Sequence, residues 1–360
     1  MKKTPLSSLH ESLGARMVDF SGWWMPLQYK GILQEHEAVR TAVGIFDISH
    51  MGEFFVEGDK AATWLDFMLT NSVASLAEGT GQYSLMLNER GGVIDDLILY
   101  RSGPKSFLMV VNASMIDQDA AWMLAHLPAT NGIQFEDRSD AHAAVAIQGP
   151  EAPRIYEILI GSIMPAKNTF RAVRAAGVDA FAAITGYTGE AGFELFFAPT
   201  NAERIWCAAM DAGATPCGLG ARDSLRLEMG YPLNGFDLSP ERTPLEAGLD
   251  LFVCLEKDDF IGRDALIAQK AQGIPTKLCC LQAEGKAPPL RPHYPVLHNG
   301  LRVAETTSGV LSPSTGSGIA MAYLPAELAV PGTEVSIEIR GRFYPARVVK
   351  KPFYKKTKLS

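Results

Sequence analysis

Two adjacent carboxylates, Asp95 and Asp96, interrupt an apolar run, with Val93-Ile94 before them and Leu97-Ile98-Leu99 after. A strand is the natural reading of that run, and its period-two alternation sends the two side chains to opposite faces. They are therefore not expected to work as a close acid pair. One should be solvated or capping, while the other points into a pocket. A carboxylate so placed serves either general acid–base and electrostatic chemistry or an ordinary structural role. If it is buried without a partner, the cost calls for a function or a hidden partner.

A second candidate is Thr185-Gly186-Tyr187-Thr188-Gly189-Glu190-Ala191-Gly192-Phe193-Glu194, which packs glycines, an aromatic ring and two acids into one short stretch. The glycines permit a ligand to approach the backbone, and Tyr187 offers a stacking face. A plain β-turn before an edge strand fits the same residues equally well. Arg222 and Arg226 share one face of a helix predicted over Ala221–Met229; they either bind an anion or pair with surface acids, the more usual outcome. His50 follows Phe46-Asp47-Ile48-Ser49 with no second histidine at a metal spacing, so it reads as a structural residue and no metal is expected. The nucleophile elbow, the P-loop, the zinc-protease helix and the dinucleotide fingerprint are all missing.

The elements that must position these residues mix strands and helices without a regular βαβ alternation, which indicates an α+β class. An amphipathic helix is predicted over Ile32–Ala42, with Val39 opposed to Glu35, Glu37 and Arg40 and with Gly44 as its stop. A strand (Glu53–Val56) and a helix (Lys60–Leu69) follow. Runs at Gln82–Leu87, Val93–Tyr100 and Phe107–Asn112, separated by Asn88-Glu89-Arg90-Gly91-Gly92 and Ser102-Gly103-Pro104-Lys105, read as a meander. Further strands are expected at Ala144–Gln148, Ala182–Thr185 and Phe193–Phe197, and helices at Ala202–Asp211 and Gly262–Gln272. Ala271–Thr276 is the candidate linker. The short runs after it (Leu278–Leu281, Pro295–Leu297, Leu301–Val303, Ala320–Tyr323, Glu334–Ile339, Ala346–Val349) suit a small barrel or sandwich.

Composition narrows the class. The 360 residues suffice for two or three domains. A net charge of -7, from 33 basic and 40 acidic side chains, provides no broad field for nucleic acid. Lys350, Lys351, Lys355, Lys356 and Lys358 at the chain end read as a solvated tail. Five scattered cysteines without a metal spacing argue for free thiols in a reducing compartment. No signal-like N-terminus and no run near the ~20 apolar residues of a membrane span is present, so a cytoplasmic protein is expected.

Several stretches together resemble the T-protein family of the glycine cleavage system, folate-binding aminomethyltransferases. They are Met17-Val18-Asp19-Phe20-Ser21-Gly22-Trp23, His36-Glu37-Ala38-Val39-Arg40, Gly44-Ile45-Phe46-Asp47-Ile48-Ser49-His50-Met51-Gly52, Asn88-Glu89-Arg90-Gly91-Gly92-Val93-Ile94-Asp95-Asp96-Leu97 and Val110-Val111-Asn112-Ala113-Ser114. Gly186-Tyr187-Thr188-Gly189-Glu190, Gly218-Leu219-Gly220-Ala221-Arg222-Asp223, Asp259-Phe260-Ile261-Gly262-Arg263, Thr307-Ser308-Gly309 and Ser312-Pro313-Ser314 continue the match in family order.

The resemblance implies three domains around a central folate channel: two interleaved α+β subdomains within 1–274 and a C-terminal all-β barrel over 275–360. It implies release of ammonia from an aminomethyl group on the lipoyl arm of the H-protein and transfer of the one-carbon unit to tetrahydrofolate, giving 5,10-methylenetetrahydrofolate. Asp96 matches the catalytic aspartate, which would stabilise the positive charge developing during transfer. Glu194 and Arg222 match pterin-contacting positions, and Met51, Tyr83, Tyr100, Asn112 and Tyr187 match further lining positions. Asp95 is expected to point away and to matter little. A family tryptophan that contacts folate is replaced here by Leu251, followed by Phe252, so that wall of the pocket should differ. A sibling folate-dependent demethylase acting on a small methylated donor is the alternative. A non-enzymatic folate-binding or iron–sulfur-assembly relative is disfavoured, because Glu256-Lys257-Asp258-Asp259-Phe260-Ile261-Gly262 lacks the cysteine those proteins carry.

Overall fold

Asn88 closes the central hairpin by chemistry its sequence advertises. Its Oδ1 accepts from the N–H groups of Arg90 (2.9 Å) and Gly92 (3.0 Å), and Gly91 takes a φ of 81°. The strands on either side, Thr80–Leu87 and Val93–Gly103, continue into Ser106–Val111 as the expected meander. Gly52–Glu57 and Gln134–Asp137 complete a five-stranded sheet.

The computed structural model describes residues 1–129 and 132–355. They divide into two units interleaved along the chain. The first holds Met1–Met86, Asp95–Arg222 and Glu256–Ile261; the second holds Leu87–Ile94, Asp223–Leu255 and the chain from Gly262 onward. Among the described residues, no helix is long and apolar enough to cross a membrane.

In the first unit, a six-stranded sheet runs in the order Phe170–Ala175, Val178–Ala183, Gly192–Phe197, Ala143–Gln148, Gly44–Asp47, Thr215–Pro216. Helices Ala152–Ile160 and Ala202–Asp211 cover it, and Ile155, Tyr156, Ile205 and Trp206 fill the core against Val145, Ile147, Phe193 and Leu195. A small sheet (Lys2–Lys3, Trp23–Gln28, Arg16–Phe20) and the helices Ser7–Ser12 and Ile116–Ala125 were not anticipated.

The helix Ile32–Thr41 forms as its pattern suggests, but two details differ. Gly44 is no helix stop; it opens the next strand, where a Cβ would lie 2.5 Å from Val39 Cγ2 and 2.7 Å from Cys217 Sγ. Nor are Glu35 and Arg40 on a solvated face. Glu35 is buried and accepts the N–H groups of Tyr29, Lys30, Gly31 and Gly218. Four backbone donors on one carboxylate account for its burial.

In the second unit, the segments Thr276–Ala283, Gly318–Pro325, Leu301–Leu311, Pro295–His298, Glu334–Ile339 and Arg342–Val349 close a six-stranded barrel. Leu281, Val296, Ala320, Ala322, Ile337 and Ala346 fill it, small residues alternating with large as a narrow barrel requires. The chain thus adopts the expected α+β class with a C-terminal barrel. Cys279 and Cys280 are neighbours on one strand, so they face opposite sides, one into the barrel core and the other toward Leu227, Ile319 and Met321. All five cysteines are free thiols. Lys350, Lys351 and Lys355 are exposed, while Lys356 and Lys358 lie outside the described residues.

Arg226 corrects the expectation of a surface arginine. Its side chain is 4% exposed and bonds Asp237 Oδ2 (2.9 Å), Ser308 Oγ (2.8 Å) and the Tyr231 carbonyl (3.1 Å). Asp237 also accepts from Ser308 Oγ, Thr307 Oγ1 and the Leu233 N–H. Arg226 also bonds the half-exposed Asp223 (2.8 Å), but removing Asp237 takes away its buried counter-charge and the common acceptor of Ser308, Thr307 and Leu233. Asp237→Ala is therefore expected to lower the stability of the second unit by about 3–5 kcal/mol, read by urea unfolding. A loss below about 1 kcal/mol would mean that the network is solvated.

Candidate functional site

Strand alternation operates as expected at Asp95 and Asp96: Asp95 shares the fully buried side with Val93, Leu97 and Leu99, and Asp96 the other side with Ile98 and Tyr100. Asp95 is not solvated, however. It is wholly buried, and its oxygens accept the backbone N–H (3.0 Å) and side-chain Nδ2 (2.8 Å) of Asn112. The same Nδ2 reaches Asp96 Oδ1 (3.0 Å) and the Asp96 carbonyl (3.0 Å). Two hydrogens thus serve three oxygens. Asn112 can do this because it follows the last paired residue of its strand, where the backbone turns. The two carboxylates do not touch, yet one amide joins them.

Tyr83 completes the cluster from the adjacent strand by donating its Oη to Asp96 Oδ2 at 2.9 Å. Each Asp96 oxygen then has one donor and keeps acceptor capacity. Burial pushes the Asp96 carboxyl up to about 7, and the neighbouring Asp95 carboxyl adds to the shift, against the bonds from Tyr83 and Asn112. A group poised there changes charge near neutrality, as a catalytic acid–base group does.

A second cluster centres on Glu194. Thr185 Oγ1 donates to its Oε2 at 2.6 Å, and Tyr100 Oη lies 2.9 Å from Thr185 Oγ1 and 3.5 Å from Glu194. Burial raises the Glu194 carboxyl, opposed by Thr185 and the charge of Arg222. The Arg222 guanidinium sits over the Tyr187 ring at 5.1 Å and contributes, after burial, to holding the His50 imidazole down to about 4. Tyr187 in turn adds to the upward shift of the Tyr83 phenol, which connects the two clusters. Tyr100 is fully buried with its ring stacked on Phe170 at 4.7 Å, so it supports Glu194 rather than presenting a face. Met51 is half-buried and directly precedes strand Gly52–Glu57, whose Gly52 pairs with Val111, the residue before Asn112. Hydrogen bonds join Asp96, Tyr83 and Asn112 on one hand, and hydrogen bonds, a ring contact and charge join Tyr100, Glu194, Arg222 and Tyr187 on the other.

The glycine-rich turn owes its composition to packing. A Cβ on Gly186 would lie 1.9 Å from Gln148 Oε1, and one on Gly192 would lie 2.3 Å from Gln148 Nε2. Gln148 donates to the Thr185 carbonyl and accepts from Thr188 Oγ1, while Arg40 binds the Thr188 carbonyl (2.7 Å) and Glu190 (3.0 Å). The glycines let the turn close on this amide and leave Tyr187 and Glu194 in fixed positions.

Comparison with known proteins places the chain in a family. The GCVT N-terminal domain family matches residues 6–257, and the glycine cleavage T-protein C-terminal barrel domain matches residues 276–355. The aminomethyltransferase of a Picosynechococcus species is 45% identical over 99% of both chains. The chain belongs to the glycine cleavage T-protein family, the aminomethyltransferases. The Bacillus subtilis aminomethyltransferase is 41% identical, over 99% of this chain and all of its own. The crystal structure of the glycine cleavage system aminomethyltransferase T from Bartonella henselae superposes with a TM-score of 0.92 at 35% identity, covering 98% of each chain.

Leu251, where the resemblance led us to expect a tryptophan, falls on a short helical turn, Asp250–Phe252, and is 87% exposed. Sequence reading gave no role to Gln148 or Asp119 and named Thr185 only as the first residue of the glycine-rich stretch. Asp119 carried a local signal, since it occupies the same helical stripe as Ile116 and Met123. Lys257, in the stretch that lacks the cysteine, is a clamp: its Nζ meets the carbonyls of Asp66, Leu69 and Asn71 and so satisfies the end of helix Ala61–Met68.

Glu53, two residues beyond Met51, is buried with neither carboxyl oxygen hydrogen-bonded. Burial, then Asp137, raises its pKa well above 4.5. A folded carboxyl that holds its proton more tightly than the unfolded one costs stability as pH rises from its unfolded value through its folded value. Glu53→Gln has no such slope. It should be more stable than the parent by about 1–3 kcal/mol near pH 8, with the gap closing toward pH 4.5, as followed by thermal unfolding across pH. A gap independent of pH would disprove the assignment.

Proposed function

We propose that the chain is the aminomethyltransferase of the glycine cleavage system, releasing ammonia from the aminomethyl group on the lipoyl arm of the H-protein and passing the one-carbon unit to tetrahydrofolate to give 5,10-methylenetetrahydrofolate. Asp96 carries this reading: a carboxyl poised near neutrality, held by Tyr83 and Asn112, in a chain that matches the family from end to end.

The donor set fits a reduced pterin. Glu194, fixed by Thr185, suits an amino/N–H edge, and Arg222 suits a carbonyl oxygen. Tyr83 and Tyr187 supply faces, Met51 an apolar wall, and Asn112 and Tyr100 hold Asp96 and Glu194 in place. Tetrahydrofolate supplies the amine nitrogens that take up the carbon. Asp96, when ionised, offsets the positive charge that develops as ammonia departs, and its free lone pairs accept or return a proton at Oδ1 or Oδ2. Because these groups are fixed before substrate arrives, the stabilisation requires no reorganisation during reaction. No metal enters this reading. We take residues 1–274 as the folate-binding region and 275–360 as the barrel domain, and the cytoplasm as the compartment.

Purified protein mixed with aminomethyl-loaded H-protein and tetrahydrofolate should yield ammonia and methylenetetrahydrofolate. Asp96→Asn should lower kcat by about 10²–10⁴-fold. In the parent protein kcat should rise through about pH 7 as Asp96 ionises. Folate binding without turnover would instead favour the sibling demethylase and a small methylated donor.

A further inference from the structure

Asp119 lies on helix Ile116–Ala125, fully buried, and takes no part in the chemistry just described. No backbone or side-chain N–H or O–H of another residue type reaches either of its oxygens. What faces it at hydrogen-bonding range is the carboxyl of Asp95. Two carboxyls hydrogen-bond to each other only if one of them carries a proton, since ionised carboxylates are acceptors alone. The geometry also assigns that proton. Asp95 already receives two N–H bonds from Asn112, which favour its ionised form, whereas Asp119 receives none.

We propose that Asp119 is a positioning residue: its protonated carboxyl donates to Asp95, keeps Asp95 an ionised acceptor for Asn112, and through Asn112 fixes Asp96. This rests on the reading of Asp96 as the group that carries the reaction.

With that proton in place the chain of contacts is continuous. The Asp119 carboxyl faces that of Asp95, Asp95 holds the backbone and side-chain N–H groups of Asn112, and Asn112 Nδ2 is shared with Asp96. The electrostatics agree with the geometry. Burial first, and then the Asp95 charge, push the Asp119 carboxyl up to about 11, so it stays neutral throughout the working range. Asp95 is raised by burial but pulled back by the bonds from Asp119 and Asn112. The groups facing Asp96 are Tyr83 on its neighbouring strand, Asn112 after the other, Asp95 on its own and Asp119 from the helix. Only Asp95 among them carries a charge, and it raises Asp96. Loss of the Asp119 donor should make Asp95 take up a proton itself, remove that charge and free Asn112.

The test compares Asp119→Asn, Asp119→Leu and Asp95→Asn with the parent protein, using aminomethyl-loaded H-protein and tetrahydrofolate over a range of pH. Asparagine is a neutral donor of the same shape, so Asp119→Asn should retain kcat within about threefold and leave the acid limb in place. Asp119→Leu should lower kcat about 10- to 100-fold with little change in the KM for folate, and its acid limb should move to lower pH. Asp95→Asn should move the limb the same way. Asp119→Leu with parental kcat and limb, or Asp119→Asn as damaging as leucine, would overturn the proposal. A second measurement needs no turnover and no leucine variant. An infrared difference spectrum of parent minus Asp119→Asn at about pH 9 should contain the carbonyl stretch of one protonated carboxylic acid. Absence of that band would overturn the assignment. A parent protein without turnover would defeat the reading of Asp96, and the band would still decide where the proton sits.

Discussion

A single side-chain amide, that of Asn112, governs the geometry around Asp96. Its nitrogen has two hydrogens and meets three oxygens, one from Asp95 and two from Asp96. A β-strand sends consecutive side chains to opposite faces, so Asp95 and Asp96 do not touch, and the charge of one reaches the other only through space. Asn112 joins them by lying just past the end of the partner strand, where it can reach both sides of the pleat. The arrangement is also restrictive. If the amide rotated to present its oxygen, acceptor would face acceptor at Asp95 and at Asp96 alike. The surrounding carboxylates therefore fix the amide's orientation as firmly as the amide fixes theirs.

That restriction accounts for the concentration of acidic groups in one buried region. Asp95, Asp96 and Asp119 lie within reach of one another and have few donors between them. Such a cluster tolerates only a limited negative charge, because each further ionisation is opposed by burial and by the charges already present. Asp119, which receives no N–H bond, is the group that retains its proton, whereas Asp95 and Asp96 each have one donor to each oxygen. Burial, and then the Asp95 carboxyl, raise Asp96 to its poise near neutrality.

Much of the fold was legible in the sequence because it depends on local patterning. Asn88 and Gly91 marked the central hairpin, and the broken strand runs after residue 275 marked the barrel. Features that depend on a partner distant in sequence were not legible. Glu35 and Arg40 read as the charged side of an amphipathic helix, yet their partners are backbone groups and an acid contributed by other segments, including Gly218, Thr188 and Glu190. Gly186 and Gly192 suggested room for a ligand, but the space they leave is taken by Gln148, which the strand order brings alongside. The N-terminal sheet was missed for a related reason. Its strands contain Pro26, two tryptophans and little alternation, so neither strand periodicity nor turn chemistry marks them.

The structure divides the duties of the residues carried over by resemblance more sharply than a contact pattern does. Tyr100 has both its ring and its hydroxyl committed, to Phe170 and to Thr185. Tyr187 has its ring against Arg222, which leaves that guanidinium held by a face rather than by a salt bridge to Glu194. A stacked arginine keeps its in-plane N–H groups directed outward, and Glu194 is anchored by a hydroxyl instead of by the opposite charge. The two groups are thereby spared from neutralising each other. In the function proposed above, a carboxylate and a guanidinium kept apart in this way would each be available to one end of a flat polar ring, whereas a closed salt bridge would first have to be broken.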